Sequence, residues 1–151
     1  MPQQFRYIYL DVSALCRPFD DQEQMRIRLE TDAIQLILAN LHSNKRMLIA
    51  SPAHDAEIRS ISDLAEREHL QSLLKVSGAH VVFDLSSARR RAEELIHKGV
   101  GIADAAHLAF AEQAQAYFIT CDDRLIRQCH RVGIRIWCGT PIAFCERENL
   151  R

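Results

Sequence analysis

Short apolar runs alternate along this chain with longer stretches in which apolar residues recur every three or four positions. Tyr7-Ile8-Tyr9-Leu10 is the first compact run, and Asp11 stops it. Residues 47–50, 79–83, 117–120 and 134–137 are the others, and their length and β-branched or aromatic content predict buried strands. Between them the period changes. Residues 22 to about 42 predict a long amphipathic helix, with Ile27, Ile34, Leu36, Ile37, Leu38 and Leu41 on the buried face. Glu23, Arg26, Arg28 and Glu30 form its wet face. Arg17-Pro18-Phe19-Asp20-Asp21 reads as a polar turn before it. Ser51-Pro52 has the form of an N-cap followed by proline at the first helical position, and the short helix it starts carries Glu57. A charge-rich helix is expected over 62 to about 74. Asp84-Leu85-Ser86-Ser87 offers capping side chains for a helix through 88–98 that ends at Gly99. After Gly101, Ala103, Ala106, Leu108, Ala109 and Phe110 recur at helical spacing, with Asp104 in the first turn. A helix over 123–131 is closed by Gly133, and Gly139-Thr140-Pro141 leads into a last short one.

Strands alternating with helices argue for a three-layer α/β domain, its central, mostly parallel five-stranded sheet flanked by helices. No linker, repeat or low-complexity segment interrupts it, so residues 1–151 are expected to form one domain. That length suffices to bury roughly two-thirds of the surface of the unfolded chain.

Composition narrows the options. Hydrophobic residues at 48% and charged ones at 26% are ordinary globular values. A formal charge of −1 gives no bulk attraction to nucleic acid, so any such binding must come from a local basic patch. Five cysteines, an odd number without paired CxxC spacing, suggest reduced thiols rather than a disulfide framework or zinc site. The start, MPQQFRYIYLD, lacks a signal peptide's apolar core, and no run approaches about 18 apolar residues. A cytoplasmic protein without a membrane segment is expected.

Four carboxylates fall at predicted element ends. Asp11 follows strand 1 and Asp122 follows strand 4, while Glu57 lies in the helix after strand 2 and Asp104 opens the helix before strand 4. Open parallel sheets build their sites at the carboxyl ends of the strands, so the four can converge if strands 1, 2 and 4 are neighbours. Each has a plainer reading as a turn, cap or solvated helix charge. Converging carboxylates repel and raise one another's pKa, a cost that a divalent cation removes. Hard oxygen donors suit Mg²⁺ or Mn²⁺, which can activate a water and offset charge on a phosphoryl oxygen, as metal-dependent phosphodiester hydrolysis requires. Ser13 and Thr120 are short hydroxyls suited to bracing such a site.

These residues also resemble a family, the PIN domain. The resemblance rests on LDVSAL at 10–15, SPAHDAEI with Glu57, IADAAHLAFA with Asp104 and ITCDDRL with Asp122, in the family's order from Tyr7 to about Cys145. It implies a Rossmann-like sheet and a Mg²⁺- or Mn²⁺-dependent endoribonuclease. It also implies Asp11, Glu57, Asp104 and Asp122 as catalytic and metal positions, with Ser13 and Thr120 in support and Asp123 as an outer acid. Many short members are toxins of VapC-type toxin–antitoxin pairs, which would add an antitoxin partner and a homodimer. The extended RPFDDQ turn and Asp-Val-Ser in place of the commoner Asp-Thr-Asn or Asp-Thr-Ser depart from those toxins.

RNA with an unstacked, bendable backbone suits such a crevice, and Arg124 and Arg127, just past Asp122, are the candidate phosphate contacts. The remaining basic clusters read as solvated helix faces, His107 as a packed or surface histidine, and Trp137 and Phe144 as core. One alternative is a PIN fold that binds RNA or protein without cutting. Another is a phosphoacceptor receiver domain, for which Asp84 and Thr120 would serve. That reading lacks the paired acids after strand 1 and the lysine after strand 5, where Trp137-Cys138-Gly139 stands.

Overall fold

A computed structural model describes residues 5–151. The reading that MPQQFRYIYLD lacks a signal peptide's apolar core falls in part on residues 1–4, which lie outside the described residues. β1 (Arg6–Leu10) is flanked by β2 (Arg46–Ala50) and β4 (Tyr117–Ile119), with β3 (Gly78–His80) and β5 (Cys138–Gly139) at the edges. Every pairing is parallel, in the order β3-β2-β1-β4-β5.

Strand alternation makes the three layers. Ile8, Leu10, Leu48, Ala50 and Ile119 point to one face, and Tyr9, Ile49 and Phe118 to the other. The first face is covered by α1 (Val12–Cys16), α2 (Met25–Ala39), α3 (Pro52–Arg59), α4 (Leu64–Ser77) and α8 (Pro141–Arg147), through Leu15, Ile34, Ile37, Ile58, Leu70, Leu74 and Phe144. The second is covered by α5 (Leu85–His97), α6 (Ile102–Ala114) and α7 (Asp123–Val132), through Ala88, Leu95, Leu108, Ala109, Leu125 and Cys129. No helix of the described residues is long and apolar enough to cross a membrane.

Several expectations are corrected. The third strand is not 79–83 but Gly78–His80, because only that stretch meets β2. Helix α4 runs without a loop into this strand, and a Cβ on Gly78 would lie 2.3 Å from the Leu74 carbonyl oxygen, so only glycine fits there. The fifth strand is not 134–137 but Cys138–Gly139. Residues 134–136 bring the chain back from Gly133, left-handed at φ 68, and only Trp137 O reaches the sheet, accepting from Phe118 N at 2.8 Å. Helix α2 is shorter than 22–42. Gln22 Nε2 donates to the Arg17 and Asp20 carbonyls, holding a turn before it, and the Asn40 side chain closes its end on Leu36 O. Asp63 caps α4 through Glu66 N, starting it later than residue 62. Glu30 is no wet-face residue: it is 1% exposed and paired with Arg17 and Arg26. The polar turn expected at 17–21 is a 3-10 turn, Arg17–Phe19, and the short helix α1, for which the sequence gives no expectation, precedes it. In α6 the buried face centres on Ala105, Leu108 and Ala109, with Ala103 exposed.

Candidate functional site

Asp11 leaves the end of β1 and turns at once into α1. Its backbone N–H donates to Ile119 O of β4 at 3.1 Å, which fixes the residue beside the neighbouring strand's end. Its Oδ1 accepts from Ala14 N at 2.9 Å and Ser13 Oγ at 2.7 Å. Asp11 is therefore a helix cap, as its plainer reading had it, and also a carboxylate at the strand end. Ser13 Oγ lies 3.3 Å from Thr120 Oγ1, which in turn accepts from Asp122 N at 3.1 Å. This run of short hydroxyl contacts ties the ends of β1 and β4 together. Asp122 caps α7 with Oδ1, accepting from Arg124 N at 2.9 Å and Leu125 N at 3.3 Å.

Asp104 sits half-buried in the first turn of α6, after a glycine N-cap that offers no side chain. Burial, then the charges of Asp11 and Asp122, push its pKa up to about 6, with Glu57 adding and His107 opposing. Burial likewise raises Asp11, and the bonds from Thr120, Ala14 and Ser13 partly restore it. Asp104 thus senses the charges of the other three acids at the carboxyl edge of the sheet. Among the described residues no lysine or arginine pairs with any of Asp11, Glu57, Asp104 and Asp122. Nor are any three of the described His, Cys, Asp and Glu side chains already closed into a cluster that would hold an ion. The donor set, carboxylates crowded without a balancing cation, fits a hard divalent ion.

The sequence profile of the PIN domain matches residues 8–130. This chain belongs to the PIN domain family. Among solved structures, FitAcB from Neisseria gonorrhoeae is similar at 17% identity, with a TM-score of 0.53, covering 89% of this chain and 97% of its own. That likeness carries the fold alone. No curated protein matches the chain.

In this PIN domain Glu57 lies in α3, anchored by a capping box in which Ser51 and His54 exchange backbone and side-chain bonds. Its Oε2 meets His107 Nε2 at 2.6 Å. His107 is 1% exposed and bonded on its other side to the Tyr9 hydroxyl, which also meets Ser51 Oγ at 2.7 Å. Burial keeps Tyr9 a neutral phenol by raising its pKa well above 10.0. The ring of His54 stacks on Tyr9 with centroids 4.5 Å apart, and burial with the nearby His107 holds its pKa down to about 3.

From the sequence, Tyr9 and His54 carry no site signal, Ser51 reads only as a helix cap, and His107 reads as a packed or surface histidine that could lie near the site. The one available signal was polar atoms on faces that periodicity marks as buried, since such atoms need partners. Asp123 binds Arg26 Nη2 at 2.8 Å in an exposed pair. Arg124 and Arg127 are exposed on α7, making no ion pair among the described residues. Asp84, which a receiver domain would use, is an exposed cap of α5 bonded to Ser87.

Proposed function

We propose that this PIN domain, taken as one unit over residues 1–151, is a metal-dependent endoribonuclease. PIN domains are generally nucleases. The observation that carries the proposal is Asp104, half-buried and raised to about 6 by burial and by Asp11 and Asp122, with no arginine or lysine among the described residues paired to the group. Asp11, Glu57, Asp104 and Asp122 would hold Mg²⁺ or Mn²⁺. When bound, that ion supplies an activated water and offsets charge on the phosphoryl oxygens. The Ser13 hydroxyl donates to Asp11 Oδ1 and sets the plane of that carboxylate. Thr120 accepts from Asp122 N and so fixes the turn on which Asp122 sits. Arg124 and Arg127, on the exposed side of α7, would take backbone phosphates flanking the scissile one. Asp123 is assigned to the Arg26 pair and not to the metal.

From the family resemblance, and not from the acids, we further propose that the chain acts as a VapC-type toxin in the cytoplasm, countered by an antitoxin and working as a homodimer. A small reading frame next to its gene, encoding a DNA-binding N-terminus, would be the expected antitoxin.

The test is cleavage of a labelled, structured RNA by the purified chain with Mg²⁺ or Mn²⁺, against EDTA and Asp11→Asn. Cutting that needs the metal and disappears in the variant is the expected result. Absence of cutting together with absence of Mn²⁺ binding by calorimetry would sink the proposal and leave an RNA- or protein-binding PIN fold.

A further inference from the structure

Glu57 has the longest side chain of the four acids. Its side chain is 40% exposed and hangs from a helix through three rotatable bonds. The only hydrogen bond the carboxylate makes to described residues is the one to His107. That histidine is fixed as firmly as a core residue. It is 1% exposed and meets the rings of Tyr9 and His54 edge-on, with centroids 5.5 and 5.0 Å away.

The proton order in this chain of groups follows from its ends. His54 Nε2 faces the Leu10 carbonyl at 2.7 Å and must donate, so its Nδ1 accepts from Ser51 N at 3.1 Å. At the other end an ionised Glu57 can only accept, so His107 Nε2 carries a proton. A neutral His107 then accepts at Nδ1 from the Tyr9 hydroxyl, and Tyr9 accepts from Ser51 Oγ. With this tautomer of His107 each donor in the buried run from Ser51 to Glu57 meets an acceptor. The run crosses from α3 beneath the sheet's end to α6 and returns to α3, so Glu57 is steered by residues from three separate elements.

We propose that His107, backed by Tyr9 and Ser51, is a positioning residue that holds Glu57 Oε2 and thereby presents the rest of that carboxylate to the acidic crevice. The inference rests on the metal-binding reading above. Hydrogen-bonding partners that orient metal-ligating carboxylates are worth about 10–100-fold in metal affinity. His107→Ala should therefore weaken Mn²⁺ binding by an amount in that range. His107→Gln, whose side-chain amide can still donate to Glu57, should recover most of it. Tyr9→Phe, which removes only the hydroxyl behind the histidine, should cost less than His107→Ala.

The experiment is Mn²⁺ calorimetry on the full chain for wild type, these three variants, Glu57→Ala and the double variant Glu57→Ala/His107→Ala. The expected result is that His107→Ala has no further effect once Glu57 is gone, a coupling that general loosening of the core would not give. If His107→Ala does not fold, the comparison of Tyr9→Phe with and without Glu57→Ala serves the same purpose. Wild-type protein that takes up no Mn²⁺ overturns the metal-binding reading and this inference together. Wild-type binding with variants unchanged within about twofold, or losses equal with and without Glu57, overturns this inference alone.

Discussion

At the N-terminal edge of the sheet, Glu112 takes the Arg91 guanidinium at 2.7 and 3.3 Å and the Arg135 backbone N–H at 3.2 Å. On the same edge Glu148 lies between Arg6 and Arg46, at 3.3 and 3.6 Å. At the opposite edge burial and the charges of Asp11 and Asp122 push up the pKa of Asp104, and among the described residues no arginine or lysine pairs with these three acids. Both edges remove carboxylates from full solvent, yet only one supplies arginines. Even the acids just outside the crevice, Glu30 and Asp123, are matched by Arg17 and Arg26. Among the described residues, the crevice acids therefore stand together without an arginine or lysine partner. A balancing charge there has to come from outside the chain or from protons.

The sharpest way to break this contrast is to neutralise one crevice acid. Asp104→Asn should lower Mn²⁺-dependent RNA cleavage on the order of 100-fold or more, at or beyond the top of the range for losing a residue that only braces a ligand. Arg91→Ala, at the far edge, should leave the rate within about twofold. A cleavage rate in Asp104→Asn equal to wild type would remove the distinction between the two edges.

Next in size is the response to metal. Mn²⁺ at about 100 times its dissociation constant should stabilise the fold by about 2.7 kcal/mol, or roughly 5–10 °C in Tm for a chain of this size. Scanning calorimetry should show little of that shift in Asp104→Asn.

At the matched edge the effect is on stability alone. Arg91→Ala leaves Glu112, whose side chain is 10% exposed, without its charged partner. Urea unfolding should register a loss of about 1–3 kcal/mol, with Mn²⁺ affinity unaltered.

The smallest effect is a pH slope in the metal-free protein. The pKa of Asp104 rises from 3.8 to about 6 on folding, so the folded state holds this proton more tightly than the unfolded one. Its contribution is present in full below the unfolded value and is lost as pH climbs through about 6. Stability should decline across that window in metal-free wild type and more gently in Asp104→Asn. Equal slopes would mean that Asp104 does not carry the shift.

Much of the architecture was legible because hydrophobic period and capping chemistry agree. Ser51-Pro52 starts α3, Gly133 ends α7 and Asp84 caps α5 where the sequence puts them. The apolar runs 79–83 and 134–137 misled, since apolarity reports burial while a strand needs a backbone partner. Val81 and Phe83 pack on the core without pairing, and Ile134 and Ile136 do likewise. Helix α1 escaped notice because one turn has no period to detect. The element ends carrying the four acids could be located from local pattern. The run from Ser51 through Tyr9 and His107 to Glu57 could not. Its members are 42, 98 and 50 positions apart, and only the strand order brings them into contact.

Strand order has a further consequence, in the timing of synthesis. The central strand β1 is the first to be made, while one of its two neighbours, β4, begins only at Tyr117. At about 5–20 residues per second, the ribosome takes on the order of 5–20 s to travel from Leu10 to that point. Throughout that interval one side of β1 has no strand to pair with, and Asp11 has no Thr120 or Asp122 beside it. A nascent chain stalled before Tyr117 should leave β1 open to protease and bind no Mn²⁺ tightly. Early protection of β1 would show that it finds its place before its neighbour exists.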